Sequence, residues 1–319
     1  MKILANDGIS SEGIEKLEAA GFTVVTEHVL QDQLIDTINS ENYVGLLVRS
    51  ATTVRKDLID ACPGLKFIGR GGVGMDNIDV EYARSKGITV ENTPEASSQS
   101  VAELAMGSLF ALARSTYDSY KEMSNKDGAD FGKLKKKYSK GVELRGKTLL
   151  IIGFGRIGQS LASYALGTGM KVIGVTRTAR DIEIPISIEG IGELVSTIKT
   201  TTDLDEALSK ADFITMNVPK QGDGKAVIGK AEFAKMKDGV RIVNVARGGV
   251  IDEDDLLEAL KSGKVAAAAL DVFENEPNPR ADLLNHSVIA TTPHIGAATS
   301  EAQGRIGTEL ADKIIATFK

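Results

Sequence analysis

Short apolar runs recur along the chain, each followed by a stretch whose apolar positions are spaced three and four residues apart. In the first hundred residues the runs Lys2–Asn6, Thr23–Thr26, Gly45–Arg49, Lys66–Gly69 and Ile88–Glu91 read as strands. Ser11–Ala20, Gln31–Asn39, Arg55–Ala61 and Val80–Lys86 read as the helices between them, punctuated by Gly21, Pro63 and Gly87. Strands this short and this apolar, alternating with helices, are those of a parallel sheet covered on both faces. From Ser97 to Met123 the helical spacing of Val101, Leu104, Ala105, Leu109 and Leu112 continues without a proline, which predicts one long helix. The polar stretch Ser124 to Gly146 reads as a loop or arm.

A second alternating series begins at Thr148. Strands are predicted near Thr148–Ile152, Lys171–Val175, Phe213–Asn217, Arg241–Val245, Val265–Leu270 and Val288–Thr291, and helices at Gln159–Leu166, Leu204–Ser209, Lys230–Met236 and Asp254–Ser262. Between Asp181 and Thr202 the pattern is ambiguous, with Ile186–Ile188 and Ser196–Thr201 as possible short strands. The tail, Ser300 to Phe318, is an amphipathic helix with no sheet of its own. The fold class is therefore α/β, with two Rossmann-like doubly wound parallel-sheet domains joined by the long helix.

The second series opens on Leu149-Leu150-Ile151-Ile152 followed by Gly153-Phe154-Gly155-Arg156-Ile157-Gly158. A glycine pattern of this spacing, after a strand and before a helix, suits a dinucleotide. Gly153 permits the turn, Gly155 lets backbone approach a pyrophosphate, and Gly158 lets helix and strand pack closely. The pyrophosphate would lie on the free N–H groups and positive dipole end of the helix. The acid that such a motif carries about 20 residues on, for the ribose 2′-hydroxyl, is missing. The second strand ends instead in Thr176-Arg177-Thr178-Ala179-Arg180. Arginine beside hydroxyls favours a 2′-phosphate, so NADP is favoured over NAD, with NAD(P)(H) the cofactor class.

Composition narrows the picture. The 319 residues are 42% hydrophobic and 26% charged, with net charge −6, as in a globular protein that does not bind nucleic acid through bulk charge. No apolar run approaches a membrane span, and the amino terminus reads as a strand rather than a signal peptide, so the cytoplasm is expected. Cys62 is the single cysteine and is expected as a reduced, buried thiol. His28, His286 and His294 form no zinc-like cluster, and no metal is expected. The run Lys133-Leu134-Lys135-Lys136-Lys137-Tyr138-Ser139-Lys140 reads as a solvated face or loop.

Ligands of open α/β sheets bind beyond the carboxyl ends of the strands. Three such ends carry reactive groups: Ala246-Arg247-Gly248-Gly249, Asp271-Val272-Phe273-Glu274-Asn275-Glu276-Pro277 and Thr292-Pro293-His294-Ile295-Gly296. Hydride transfer to a nicotinamide needs a group that takes or gives the alcohol proton, and histidine suits that near neutral pH. A neighbouring carboxylate fixes an imidazole's tautomer and stabilises its protonated form. An arginine grips a substrate carboxylate in two places.

These segments, together with Arg49-Ser50-Ala51-Thr52, Gly69-Arg70-Gly71-Gly72-Val73-Gly74-Met75-Asp76-Asn77-Ile78-Asp79 and Asn92-Thr93-Pro94, resemble in order and spacing the signatures of the D-isomer-specific 2-hydroxyacid dehydrogenases. The resemblance covers nearly the whole chain. Within the family it is most similar to the D-3-phosphoglycerate dehydrogenases in a short form, ending at Lys319 without the serine-sensing domain of longer relatives. It implies a substrate-binding domain of residues 1–97 plus 295–319 and a dinucleotide-binding domain of 98–294, with the active site in the cleft between them and the tail helix returned to the first domain. It implies Arg247 as the substrate arginine, Glu276 as the histidine's partner and His294 as proton donor or acceptor. Along the cofactor it implies Val73, Arg156, Ile157, Val218, Pro219, Val245, Ala246, Arg247, Asp271, His294, Gly296 and Ala297, besides the glycine turn and Thr176, Arg177 and Thr178. Gly71, Gly72 and Val73 would hold the substrate carboxylate, and Arg49 and Ser50 a substrate phosphate. The expected reaction is oxidation of 3-phospho-D-glycerate to 3-phosphohydroxypyruvate, in serine biosynthesis, by a homodimer or higher homo-oligomer. The alternatives are a glyoxylate or hydroxypyruvate reductase of the same family, or an NAD(P)-sensing binding protein without turnover.

Overall fold

The computed structural model describes residues 1–124 and 130–319. Two compact units result, Met1–Ser100 with Ala297–Lys319, and Val101–Gly296. In the first, β1 (Lys2–Ala5), α1 (Ser11–Ala19), β2 (Thr23–Val25), α2 (Leu34–Ser40), β3 (Tyr43–Val48), α3 (Lys56–Ala61), β4 (Phe67–Arg70), α4 (Val80–Ser85) and β5 (Thr89–Asn92) alternate strictly. The strands form a parallel sheet in the order β2-β1-β3-β4-β5. Ile3, Leu4, Leu46, Leu47, Phe67 and Ile68 are fully buried, because both faces of the sheet are covered. The core on one face includes Cys62, and burial pushes its thiol up to about 11.

α5 (Ser98–Arg114) opens in the first unit and continues into the second. The single long helix expected over Ser97–Met123 is in fact two. Ser115 adopts φ 51, and the chain restarts as α6 (Thr116–Ser124). Left-handed backbone cannot continue an α-helix, and no periodicity in the sequence marks the break. The expected loop from 124 to 146 contains α7 (Phe131–Lys137), seated by buried Leu134 among otherwise exposed lysines; residues 125–129 of that stretch lie outside the described residues.

The second unit continues with β6 (Thr148–Ile152), α8 (Arg156–Gly167), β7 (Lys171–Val175), β8 (Asp181–Ile188), β9 (Gly192–Lys199), α9 (Leu204–Lys210), β10 (Phe213–Met216), α10 (Lys230–Lys235), β11 (Val240–Asn244), α11 (Glu253–Lys261), β12 (Val265–Leu270), α12 (Ala281–Leu284) and β13 (Ile289–Thr291). Its parallel sheet runs β13-β12-β11-β10-β6-β7. β6 thus lies where the strand order reverses, and the glycine turn leaves its carboxyl end at that switch point. The ambiguous stretch after β7 is an antiparallel hairpin, β8 on β9, paired from Asp181↔Lys199 to Ile188↔Gly192.

The tail, α13 (Ser300–Phe318), belongs to the first unit and packs on α1. The two helices touch backbone to backbone: a Cβ on Gly13 would stand 2.8 Å from the Gly307 carbonyl. Buried Ile306, Leu310 and Ile314 form its apolar stripe, which accounts for an amphipathic helix without strands of its own. No helix of the described residues is long and apolar enough to cross a membrane.

Candidate functional site

At the carboxyl end of β6, Gly153 turns at φ 93, and a Cβ there would lie 2.4 Å from the Asn217 carbonyl oxygen and 2.7 Å from Val218. A Cβ on Gly158 would stand 2.6 Å from the Gly153 carbonyl oxygen, so α8 can lie this close to its strand only with glycine there. Gly155 differs: a Cβ would meet nothing within 4 Å. It is the N-cap of α8, with exposed Arg156 and half-buried Ile157 next in line. The space before the helix N-terminus is open, and it suits a diphosphate on the first-turn N–H groups and the dipole. Beside it, the buried Asn217 Oδ1 has no donor among the described residues. These observations fit a dinucleotide. The half-buried Val218 and exposed Pro219 follow Asn217.

After β7, the half-buried Thr176 has its hydroxyl committed locally, donating to the Thr178 carbonyl at 2.8 Å. The loop is held down by Thr200 Oγ1, which accepts from the Arg180 N–H at 2.9 Å. Arg177, Thr178 and Arg180 are exposed, and Arg177 makes no ion pair among the described residues.

Three further strand ends lie along the same sheet edge, because all the strands are parallel. After β11, Asn244 Nδ2 donates to the Arg247 carbonyl at 3.0 Å and Asn244 Oδ1 accepts from the Ala246 N–H, which fixes the turn. Val245 and Ala246 are buried and Arg247 half-buried. After β12 and β13, Asp271 clamps the histidine loop. Its Oδ1 accepts from Thr292 Oγ1 at 2.6 Å and the Ile295 N–H at 2.8 Å, and its Oδ2 from the Gly296 N–H at 2.9 Å. Within that clamp His294 stands at φ 55 with a half-exposed ring. Its Nδ1 lies 2.8 Å from Glu276 Oε2, while Glu276 Oε1 accepts from the Phe273 N–H at 2.9 Å. Burial works to raise the Glu276 carboxyl, but the hydrogen bonds from His294 and the Phe273 N–H, with the nearby His294 and Arg247 charges, outweigh it and hold the group below its ordinary value. An ionised Glu276 accepting from Nδ1–H leaves Nε2 to exchange a proton with a ligand.

Asp271→Asn should therefore loosen the histidine loop. An amide offers one oxygen to donors that now meet two, leaving a buried donor unmatched at a cost of about 1–3 kcal/mol. Urea unfolding should show the loss, and kcat should fall with it; an unchanged midpoint and rate would remove Asp271 from this role.

In the first unit, the loop after β3 is braced from two sides. Asp7 accepts from the Arg49 and Thr52 N–H groups and from Thr52 Oγ1, and Asn77 Nδ2 donates to the Arg49 and Thr52 carbonyls. The Arg49 stem passes Gly71, whose Cβ would be 3.5 Å from Arg49 Cγ. Ser50 is exposed. In the glycine loop after β4 two of the three backbone donors are engaged. The Gly71 N–H donates to the Val48 carbonyl and the Gly72 N–H to Thr93 Oγ1. The Val73 N–H makes no hydrogen bond among the described residues, and Val73 is 39% exposed. Ala297 accepts from Gln303 Nε2 at its carbonyl.

Glu253 was not singled out by its sequence context, where a charge in a first helical turn reads as solvated. It is 6% exposed. Burial raises its carboxyl pKa. Its Oε1 accepts from the Glu274 N–H at 2.8 Å and so steadies the loop that carries Glu276. No group of three or more metal-ligating side chains occurs among the described residues.

Residues 106–296 match the NAD binding domain of the D-isomer specific 2-hydroxyacid dehydrogenases. The chain is 44% identical to a hydroxypyruvate reductase of Thermotoga maritima over 317 residues, 98% of this chain and 97% of that protein. It is 43% identical to a D-3-phosphoglycerate dehydrogenase of Methanocaldococcus jannaschii over 98% of its own length, and spans 57% of that relative. Among solved structures it resembles a glyoxylate reductase from Paecilomyes thermophila, with TM-score 0.82, 30% identity, and coverage of 100% of this chain and 95% of that one. It also resembles an NADPH-dependent glyoxylate/hydroxypyruvate reductase from Sinorhizobium meliloti in complex with NADP and malonate, with TM-score 0.78, 27% identity, and coverage of 100% and 93%. The chain belongs to the D-isomer-specific 2-hydroxyacid dehydrogenases. It is an enzyme of that class, working with a nicotinamide dinucleotide.

Proposed function

We propose that the enzyme interconverts 3-phospho-D-glycerate and 3-phosphohydroxypyruvate. The Glu276–His294 pair at 2.8 Å is the observation that carries the proton-transfer half of this reading. A bound nicotinamide supplies or accepts the hydride at the carbon bearing the hydroxyl. His294 Nε2 takes the hydroxyl proton in oxidation and returns it in reduction, and Glu276 holds the ring and stabilises its charged form. Arg247 grips the substrate carboxylate and polarises the neighbouring oxygen, and the Val73 N–H is the backbone donor left for that carboxylate. Arg49 and Ser50 take the phosphate. The enzyme works as a homo-oligomer in the cytoplasm, on the serine-forming route.

A second reading, reduction of hydroxypyruvate itself, is favoured by the hydroxypyruvate reductase matched over nearly its full length. Phosphate dependence separates the two. kcat/KM for 3-phosphohydroxypyruvate should exceed that for hydroxypyruvate, and Arg49→Ala should erase about 10- to 100-fold of that preference, the loss of one charge-assisted contact. Equal rates on the two substrates would leave hydroxypyruvate reduction as the activity.

For the cofactor, we infer a preference for NADP. The Thr176 hydroxyl is committed to its own loop, residues 176–180 carry no carboxylate to repel a 2′-phosphate, and Arg177 is exposed and makes no ion pair among the described residues. Thr176→Asp should swing the ratio of kcat/KM toward NAD by about 10- to 100-fold, the scale of one charged hydrogen bond gained and one repulsion introduced. A wild-type enzyme that already prefers NAD would defeat this reading.

A further inference from the structure

The loop after β7, residues 176–180, is exposed apart from half-buried Thr176, yet its backbone is tied at both ends. The ties come from Thr200 and Thr201, where the chain returns from the β8–β9 hairpin. The Thr201 N–H donates to the Gly174 carbonyl at 2.9 Å, and the Thr201 carbonyl accepts from the Thr176 N–H at 3.0 Å, so Thr201 runs parallel to the end of β7. At the other end of the loop, Thr200 Oγ1 accepts from the Arg180 N–H and donates to the Arg180 carbonyl, both at 2.9 Å. The Thr200 N–H donates to the same carbonyl at 3.0 Å. Thr176 Oγ1 stands 3.1 Å from Thr200 Oγ1, which brings the two ends of the loop to one hydroxyl. Thr200 is 6% exposed, so water competes poorly for these bonds.

The same seam of backbone bonds reaches the glycine turn. The Gly153 N–H donates to the Val175 carbonyl at 3.1 Å, and the Phe154 ring lies on Gly174, where a Cβ would stand 2.6 Å from it. The hairpin is anchored there too. Ile184 and Ile198 are buried, and β8 packs on α8, the helix that the glycine turn opens. β8 and β9 form a two-stranded sheet apart from the parallel one. Their effect is to carry Thr200 back to the loop and hold it in one frame with the turn. A short exposed loop that had to order on binding would lose affinity to the entropy of ordering. Tied in advance, this one presents Arg177 and Thr178 and fixes the backbone of Arg180. Neither arginine makes an ion pair among the described residues.

We propose that Thr200 is a positioning residue for cofactor selection: its hydroxyl holds residues 176–180 in the shape that receives the 2′-phosphate of NADP. This rests on the NADP reading above. β7 is the edge strand, at the opposite side of the sheet from β13. The loop therefore lies away from the strand ends that carry Arg247, Glu276 and His294, and Thr200 acts on binding of the phosphorylated ribose rather than on the chemical step.

Amide exchange and cofactor affinity test it together. In the cofactor-free wild type, the Arg180 amide should exchange more slowly than those of Arg177 and Thr178, which make no hydrogen bond among the described residues. Equal exchange at the three would overturn the clamp without any substitution. Thr200→Val keeps the branched shape and removes the hydroxyl. It should speed exchange at Arg180 and weaken NADP binding in calorimetry about 10-fold, the loss of one hydrogen bond, with NAD affinity unchanged. KM for NADP should rise in step while kcat holds, and Thr200→Ser, which keeps the hydroxyl, should behave as the wild type. An unchanged ratio of NADP to NAD affinity, an equal loss for both cofactors, or a serine variant as weak as the valine one would each overturn the proposal. A wild type that prefers NAD defeats the NADP reading alone; Thr200 then keeps its role if Thr200→Val still moves the ratio and loses it if the ratio stays.

Discussion

His294→Ala should lower kcat by about 10²- to 10⁴-fold, the usual span for loss of a positioned general acid–base. Dinucleotide affinity measured by fluorescence titration should change little, because the glycine turn of β6 is built from other residues. Glu276→Gln should cost less, about 10- to 100-fold, since the amide can still hold the ring but no longer stabilises its charge. The double variant should be scarcely worse than His294→Ala, because a pair acting as one unit is not additive. The pH dependence has a definite sign. Glu276 is held below its ordinary 4.5 in the folded protein. Its contribution to stability is therefore fully present above the unfolded value and disappears as pH falls through the folded one. Acid unfolding of the wild type should show that contribution below about pH 4.5 and the Glu276→Gln variant should lack it. Undiminished turnover in His294→Ala would remove the residue from the mechanism.

Gly248→Ala should be a strongly damaging change for so conservative a substitution. A Cβ on Gly248 would stand 1.8 Å from the Phe273 carbonyl oxygen, 2.0 Å from its carbonyl carbon and 2.6 Å from the Glu274 nitrogen. The obstacle is backbone, which cannot swing aside as a side-chain tip can. Either the turn carrying Arg247 or the loop carrying Glu276 must move. The second is already fixed by the Phe273 N–H on Glu276 and the Glu274 N–H on Glu253. Overpacking of this kind costs about 1–3 kcal/mol. The displacement itself should lower kcat at least as much as Glu276→Gln, about 10-fold or more, since misplacement by an ångström alone can cost 10²-fold. Thermal unfolding and single-turnover rates measure the two effects separately. A Gly248→Ala enzyme with wild-type rate and midpoint would mean that the two segments are not held where they stand.

The strands of both sheets were legible because each is a short apolar run bounded by glycine, proline or polar residues. That pattern follows from burial on both faces and needs no knowledge of neighbours. The glycine turn was legible for a similar reason: its three glycines serve contacts within one strand–turn–helix unit. Arg247, Glu276 and His294 could be picked out because parallel strands bring their carboxyl ends to one edge. Less was legible after β7, where β8 and β9 mix buried and exposed isoleucines along one face and the period alone does not say which half is covered.

The sequence by itself determined the class of fold and the family, and pointed to candidate residues for dinucleotide binding and proton exchange, because each depends on local periodicity or on a motif contiguous in the chain. Tertiary structure decided what depends on segments far apart in sequence meeting. It broke the long helix at Ser115, engaged the Gly71 and Gly72 donors through Val48 and Thr93, and buried Glu253 under the loop of Glu276. It also set Gly248 against Phe273. Each of those contacts has a backbone atom on at least one side, and backbone is alike at every residue, so the residue types along the chain do not announce the pairing.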